Sequence, residues 1–403
     1  MVWVMAGTLP DLYPSKRSVR EIMDIKLLLQ EMAERQASDM FFTAGARICL
    51  KINGIVRPVS MPELTPKDAK DYAYALMTPE QISRFESTWE SNFGYSLAGM
   101  GRFRVNVFRQ RGATAMVIRR LASDIPNIQD LHLPPLLERL AMQRRGLVLM
   151  VGATGSGKST TMAAMIDHRS ANAPGHILTV EDPIEYVFRH RKAIVNQREV
   201  GADTESYDVA LMNALRESPD MIMIGEIRDA RTMSHVINYA NTGHLCISTL
   251  HAINSHQALT RIVNFYPLEN RATVLFDLSA CLVGIIAQRL VRTVQGERRP
   301  ALEIFLADYH MRQLIREGRI DEISEMMDKS TAEEMQTFDQ AVVKMYREGI
   351  IDYDEAYANA DSPRQLHLMI HGGDGGGVST PMGVDQARPV APLPEIEVPE
   401  FKR

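Results

Sequence analysis

Apolar residues recur at helical spacing near the start of the chain. Ile25, Leu28, Leu29, Met32 and Ala33 fall on one stripe of residues 24–37, which predicts a helix. Short β-like runs follow at 40–43 and 48–52, with Asn53-Gly54 as a turn before Ile55-Val56. Thr65-Pro66, with Asp68 in the first turn, opens a helix expected through about 66–88. Strands are expected at 93–98, 101–109 and 113–120. Three prolines within 123–135 mark a linker. Beyond it, helices alternate with continuously apolar runs at 147–151, 177–181, 221–226 and 245–249, the pattern of strands buried on both faces. From about 257 to 369 the pattern reads as mainly helical, for example at 270–290 and 332–349. The expected fold class is therefore α/β: an α+β domain over 23–122, the linker, and a doubly wound domain over 136–371 with a helical C-terminal part. Residues 1–22 are expected to be a disordered extension. The Gly-rich, Pro-rich acidic tail at 372–403 lacks the apolar residues to order itself.

Composition narrows the function classes. The chain has 403 residues, 45% hydrophobic and 24% charged, with a net charge of −5. This is an ordinary globular composition with no strongly basic face for nucleic acid. No apolar stretch approaches the ~20 residues of a membrane span, so direct membrane insertion is not expected. The three cysteines, Cys49, Cys246 and Cys281, lie far apart and form no Cys-x-x-Cys pair. They are expected to be buried, reduced side chains.

The chemistry is concentrated after the first apolar run. Gly152-Ala153-Thr154-Gly155-Ser156-Gly157-Lys158-Ser159-Thr160 follows Leu147–Val151 and completes a phosphate-binding loop between strand and helix. Glycines let the backbone turn its N–H groups on one anion, and the helix beginning near Lys158 adds its positive end. Lys158 is placed for the β- and γ-phosphates, Ser159 for Mg²⁺, and Thr160 for the α-phosphate. The loop predicts a nucleoside triphosphate, with Lys158 open to solvent in the free site.

Three further segments carry candidates. Glu181-Asp182-Pro183-Ile184-Glu185-Tyr186 sets two carboxylates four residues apart around a proline turn, able to orient water and complete a magnesium shell. Met221–Glu226 is a buried strand ending in an acid, with Gly225 where an Asp usually stands. His251 ends a third strand, Thr242–His251, and could donate a ring N–H to a γ-phosphate; His244 reads equally as a core residue.

Together these segments resemble the secretion and pilus motor ATPases, and most closely the type IV pilus retraction ATPases of the PilT/PilU family. The carriers are GATGSGKST at 152–160, EDPIEY at 181–186, MIGEIRD at 223–229 and TGHLCISTLH at 242–251. GRFRVNVF at 101–108, NQREVG at 196–201 and RQLIREG at 312–318 also match. The likeness runs from about residue 23 to 370. It implies a PAS-like first domain, a RecA-like second domain, a ring-shaped homohexamer and ATP as fuel. By position, Glu226 would organise Mg²⁺, Glu185 would polarise water with Glu181 beside it, and His251 would sense the γ-phosphate. Arg104 and Arg119 would reach the nucleotide from the first domain, with Arg216 and Arg261 as less certain members of the set. The resemblance further implies a cytoplasmic protein, peripheral at the inner-membrane pilus base, whose partners are a platform protein and a second, PilT-like retraction ATPase.

Two departures bear on the branch. The retraction segment begins with His310 where the family commonly has Ala, although its apolar face Met311, Leu314 and Ile315 survives and leaves Arg312, Arg316 and Glu317 for a partner. The long Gly/Pro tail and the wording around Gly243–Cys246 lean to the PilU side. Among competitors, an assembly ATPase would carry a four-cysteine metal module that three cysteines cannot build. A nucleic-acid motor is disfavoured by the acidic balance. A non-hydrolysing switch would be expected to lack the acids, yet Glu181, Glu185 and Glu226 are all present.

Overall fold

Two sheets organise the described residues of this computed structural model, which are 24–371 apart from 53, 99, 122–123 and 330–333. The expectations for 1–22, for 372–403 and for Asn53 lie outside them. The first sheet comprises β1 (Asp39–Phe42), β2 (Cys49–Ile52), β3 (Ile55–Pro58), β4 (Glu90–Leu97), β5 (Gly101–Gln110) and β6 (Ala113–Arg120), in the order β3-β2-β1-β6-β5-β4. All its pairings are antiparallel. Helices Ile25–Glu34, Pro66–Ala75 and Pro79–Thr88 join it around one apolar cluster that includes Leu29, Phe42, Tyr72, Phe85 and Phe103. On β5, Phe103, Val105 and Val107 point into this core. The period of two therefore turns Arg102 and Arg104 to the other face.

The second sheet comprises β7 (Gly146–Val151), β8 (Gly175–Glu181), β9 (Ala193–Glu199), β10 (Met221–Ile224), β11 (Leu245–Leu250), β12 (Leu282–Arg292) and β13 (Arg298–Leu306). Its order is β13-β12-β7-β11-β10-β8-β9, parallel throughout except for β13 against β12. Every residue of β7 is buried. Leu147, Leu149 and Val151 enter one core and Val148 and Met150 the core on the opposite face. Burial on both sides explains the unbroken apolar runs.

Several elements differ from the sequence expectation. The helix expected over 66–88 is two helices broken at Thr78-Pro79, because Pro79 has no N–H for a continuing helix and Thr78 caps the second segment. The region expected to be mainly helical contains β12 and β13. The helix there stops at Cys281, and Leu282–Arg292 is a strand whose two-sided burial reads like a buried helix in sequence. The segment β9 has only the short apolar run Ala193-Ile194-Val195 before its polar end and was not expected as a strand. Cys246 and Cys281 are buried as expected, whereas Cys49 is only half-buried. Burial pushes the Cys281 thiol up to about 12, so it is not a reactive thiolate.

The retraction-like segment forms the helix Tyr309–Glu317 with Met311, Leu314 and Ile315 buried. Arg312 is not left for a partner, contrary to expectation. Its Nε donates to Ala307 O at 2.7 Å, and one Nη donates to Ser279 O and Ala280 O at 2.7 and 2.8 Å. The guanidinium thus satisfies carbonyls at the end of helix Leu268–Cys281 that have no helical partner. Arg316 lies over the Phe276 ring, 4.5 Å from its centre, and remains exposed. Arg312→Glu is therefore expected to destabilise the protein by about 2–3 kcal/mol, and Arg316→Glu by well under half of that. Thermal melting of the two variants checks the order; equal melting temperatures would refute the capping role.

Candidate active site

The glycine loop takes the shape its composition predicts. It leaves the end of β7 and enters helix Lys158–Asn172, with Gly152 at φ 148° and Gly157 at φ 87°. Neither position has room for a side chain. A Cβ on Gly152 would lie 2.4 Å from Gln288 O, and one on Gly157 would lie 2.8 Å from Gln288 Nε2. The loop is fastened from β12: Gln288 Nε2 donates to Ser156 O and Gln288 Oε1 accepts from Thr161 Oγ1, both at 2.8 Å. Gln288 is 2% exposed, so both ends of one buried amide hold the start and the sequel of the loop.

Lys158 is buried rather than open to solvent. Its Nζ donates to Gly152 O and Ala153 O, each at 2.8 Å. Desolvation lowers its pKa, while Glu226 and then Glu185 act in the opposite direction. Among the described residues no carboxylate lies within ion-pair distance of it, so its third N–H is available to an anion. Ser159 follows in the first helical turn. The Thr160 hydroxyl pairs with the Tyr186 hydroxyl at 2.8 Å, which ties the loop to the acidic segment.

The cleft around this loop, about 540 Å³, is lined by Thr154, Gly155, Gly157, Lys158, Ser159 and Thr160. Glu181, Asp182, Glu185, Tyr207, Glu226 and His251 also line it. The structure thus brings most of the expected residues together. Their environments differ sharply. Glu185 is exposed to the cleft. Glu181 is 6% exposed and accepts from Thr179 Oγ1 at 2.7 Å and Gln197 Nε2 at 3.1 Å. Burial pushes its carboxyl up to about 7 against the pull of those hydrogen bonds. Glu226 is engaged at both oxygens: Arg228 Nε donates to Oε2 at 2.7 Å, and His251 Nε2 lies 3.0 Å from Oε1. Arg228 also reaches Asp182 at 3.4 Å. Gly225 before it is explained by space, since a Cβ there would lie 2.9 Å from the Tyr207 hydroxyl and 3.3 Å from Glu181 Cα.

The arginines divide. Arg104 is half-buried, and burial lowers its pKa, opposed by the nearby Glu185, Glu199 and Asp182 charges. Its Nε is buried with no hydrogen-bond partner. It therefore faces the acidic segment from the first domain. Arg119 sits opposite Arg104 on β6 but gives its Nε to the buried Asp39 at 2.7 Å, and it does not line the cleft. Arg216 bonds Asn213 at 3.1 Å, away from the cleft. Arg261 packs over Phe265 and lines a separate surface hollow with His251. Gln288 and Arg228 were given no role from the sequence: Gln288 lay in a run read as helix, and Arg228 stood within MIGEIRD without an assignment.

The cleft offers donors suited to Mg²⁺. The Ser159 hydroxyl and Glu226 carboxylate are the hard oxygen donors such an ion takes. Among the described residues no three His, Cys, Asp or Glu side chains converge on one metal position. These residues therefore fit Mg²⁺ in company with substrate phosphate oxygens, not as a protein cage.

The family pattern described as type II/IV secretion system protein matches residues 16–349. The chain is 47% identical over 349 residues to the type IV pilus ATPase PilU of Pseudomonas aeruginosa, covering 86% of this chain and 91% of that one. It is 37% identical over 344 residues to the type IV pilus retraction ATPase PilT of the same organism, covering 85% and 100%. The chain belongs to the PilT/PilU family of pilus retraction ATPases. Among solved structures, the pilus retraction motor PilT with bound ADP superposes with a TM-score of 0.80 at 40% identity, over 86% of this chain and 99% of that one. Members of this family are ATPases.

The buried Glu181 has a consequence for stability. Its folded pKa, about 7, lies above the ordinary 4.5, so the folded state holds this proton more tightly than the unfolded state does. Its contribution is fully present below the unfolded pKa and is lost as pH rises through about 7, amounting to at most about 3 kcal/mol. Glu181→Gln removes that loss. The variant is expected to gain melting temperature relative to the parent between about pH 5 and pH 8, and a constant difference across that range would contradict it.

Proposed function

We propose that this chain is a subunit of a homohexameric, ATP-driven motor of type IV pilus retraction, of the PilU kind, acting at the cytoplasmic face of the inner membrane with a platform protein and a second retraction ATPase. The observation that carries the reading is one cleft uniting the desolvated Lys158, the exposed Glu185 and the Glu226–His251 pair, with Arg104 close to the acidic segment at its side. The higher identity to PilU than to PilT supports the branch. Among the described residues no helix is long and apolar enough to cross a membrane, in keeping with peripheral attachment.

In this reading the loop N–H groups and Lys158 bind the phosphates. Ser159 and Glu226 hold Mg²⁺, which when bound offsets phosphate charge and sharpens the electrophilic γ-phosphorus. Glu185 orients and polarises the attacking water, since of the two glutamates in the acidic segment it is the one open to the cleft, while Glu181 is occupied as a buried anchor. His251 leaves Glu226 to meet the γ-phosphate. Arg104 faces charge developing on the transferring group, where a fixed cation in a poorly solvated position acts strongly.

Lys158→Ala is expected to lower ATP turnover by at least about a hundred-fold, and Glu185→Gln to lower kcat by a similar factor with nucleotide affinity retained. Steady-state hydrolysis beside ADP binding checks both. Wild-type kcat in Glu185→Gln with a loss in Glu181→Gln would reverse the two assignments. In cells, deletion of the gene should impair twitching with surface pili kept or in surplus; loss of pili would point to assembly instead.

A further inference from the structure

The strand β9 ends in Gln197-Arg198-Glu199, part of a segment to which the mechanism above gives no task. Residues two apart on a strand share a face, and Gln197 and Glu199 both turn toward the acidic segment 181–188. Gln197 holds its exit: Nε2 donates to Tyr186 O at 2.8 Å, and Oε1 accepts from Phe188 N at 2.9 Å. Glu199 holds its middle. Its Oε2 accepts from the backbone N–H of Ile184 at 3.3 Å, one residue before Glu185.

The same oxygen receives a second donor from the other domain. Arg102 Nη2 on β5 lies 3.1 Å from Glu199 Oε2, with only 7% of the Glu199 side chain exposed. The Arg102 Nε is buried without a partner, so this guanidinium is committed to the domain junction at some cost. Its place is kept by Gly94 on β4, where a Cβ would lie 2.6 Å from Arg102 Nη2. Arg104, two residues on, projects from the same face toward Glu185.

We propose that Arg102 and Glu199 form a positioning pair through which the first domain sets the place of Ile184 and hence of Glu185, so that hydrolysis is tuned by how the two domains dock. Displacing the guanidinium frees the Glu199 carboxylate, which then holds Ile184 less firmly. The carboxylate at 185 swings with the loop, and a misplacement of about 1 Å is enough to slow a water-directed step severely. Nucleotide binding, made by the glycine loop and Lys158, stays as it was.

The inference rests on the assignment of Glu185 made above, and Glu185→Gln tests that assignment separately. The experiment uses the full chain with Arg102→Met, Arg102→Lys, Glu199→Gln, Gly94→Ala and the double variant Arg102→Met/Glu199→Gln. Hydrogen exchange of the amides around Ile184 in nucleotide-free protein should quicken roughly tenfold in Arg102→Met and Glu199→Gln. In both, kcat should fall about five- to twenty-fold while KM and ADP affinity change less than about twofold. Arg102→Lys keeps the charge and should restore most of both readouts. Gly94→Ala lies outside the ATPase domain and keeps both charges, and it displaces the Arg102 guanidinium by its Cβ alone; it should shift them in the same direction. The double variant should be no worse than Glu199→Gln alone. Unchanged exchange at Ile184, unchanged kcat despite faster exchange, a kcat loss matched by weaker ADP binding, or multiplying losses in the double variant would each overturn the proposal. Should Glu199→Gln not fold, Arg102→Met and Gly94→Ala decide the matter from the first domain.

Discussion

A polyanionic substrate has to enter a cleft already lined by Glu181, Asp182, Glu185 and Glu226. Everything else in the site follows from how that like-charge problem is managed. Lys158 is drawn out of water at the mouth of the glycine loop, close enough to Glu226 and Glu185 to feel both. Arg228 spans Glu226 and Asp182. Glu181 is withdrawn into the sheet edge, where burial favours its neutral form. Arg104 and Arg102 approach from the first domain. Cations thus come from three directions, and Asp182 and Glu185 are the carboxylates left exposed.

The architecture holds these charges in place from both sides of the seven-stranded sheet. The loop rises from β7 and is fastened sideways to β12 by Gln288. The next residue of β12, Arg289, donates to Asn359 O and to Asp361 and stacks on Phe338 at 3.9 Å. One strand therefore joins the phosphate loop to the C-terminal helices. At the far edge, β9 holds the acidic loop and meets the first domain. Both links run through single polar side chains, Gln288 on one side and Glu199 on the other, whose contacts are costly to break.

How much of this was legible in the sequence depended on the kind of signal. The glycine loop carries its own geometry, since only glycine fits beside Gln288 at positions 152 and 157, and its neighbours in chain order named the family. The strands β7, β10 and β11 announced themselves by two-sided burial. The same property concealed β12, because an apolar run buried on both faces has no period to tell a strand from a helix. With β12 misread, Gln288 had no reason to attract notice. Arg312 was read as a partner-binding charge because a capping role depends on the end of a helix some thirty residues away. Arg104 and Arg119 form a matching pair in sequence and in the β5–β6 ladder. Only the tertiary structure separates them, giving Arg119 to Asp39 and Arg104 to the acidic loop.

The central claim is that the first domain completes an ATPase site built on the second. Arg104 is the residue whose part in this is most exposed to test. Single-turnover hydrolysis by the full-length Arg104→Ala protein, measured beside its ATP affinity, separates chemistry from binding. The account predicts a chemical step slower by about a hundred-fold with affinity altered far less. A chemical step at the parent rate would contradict it.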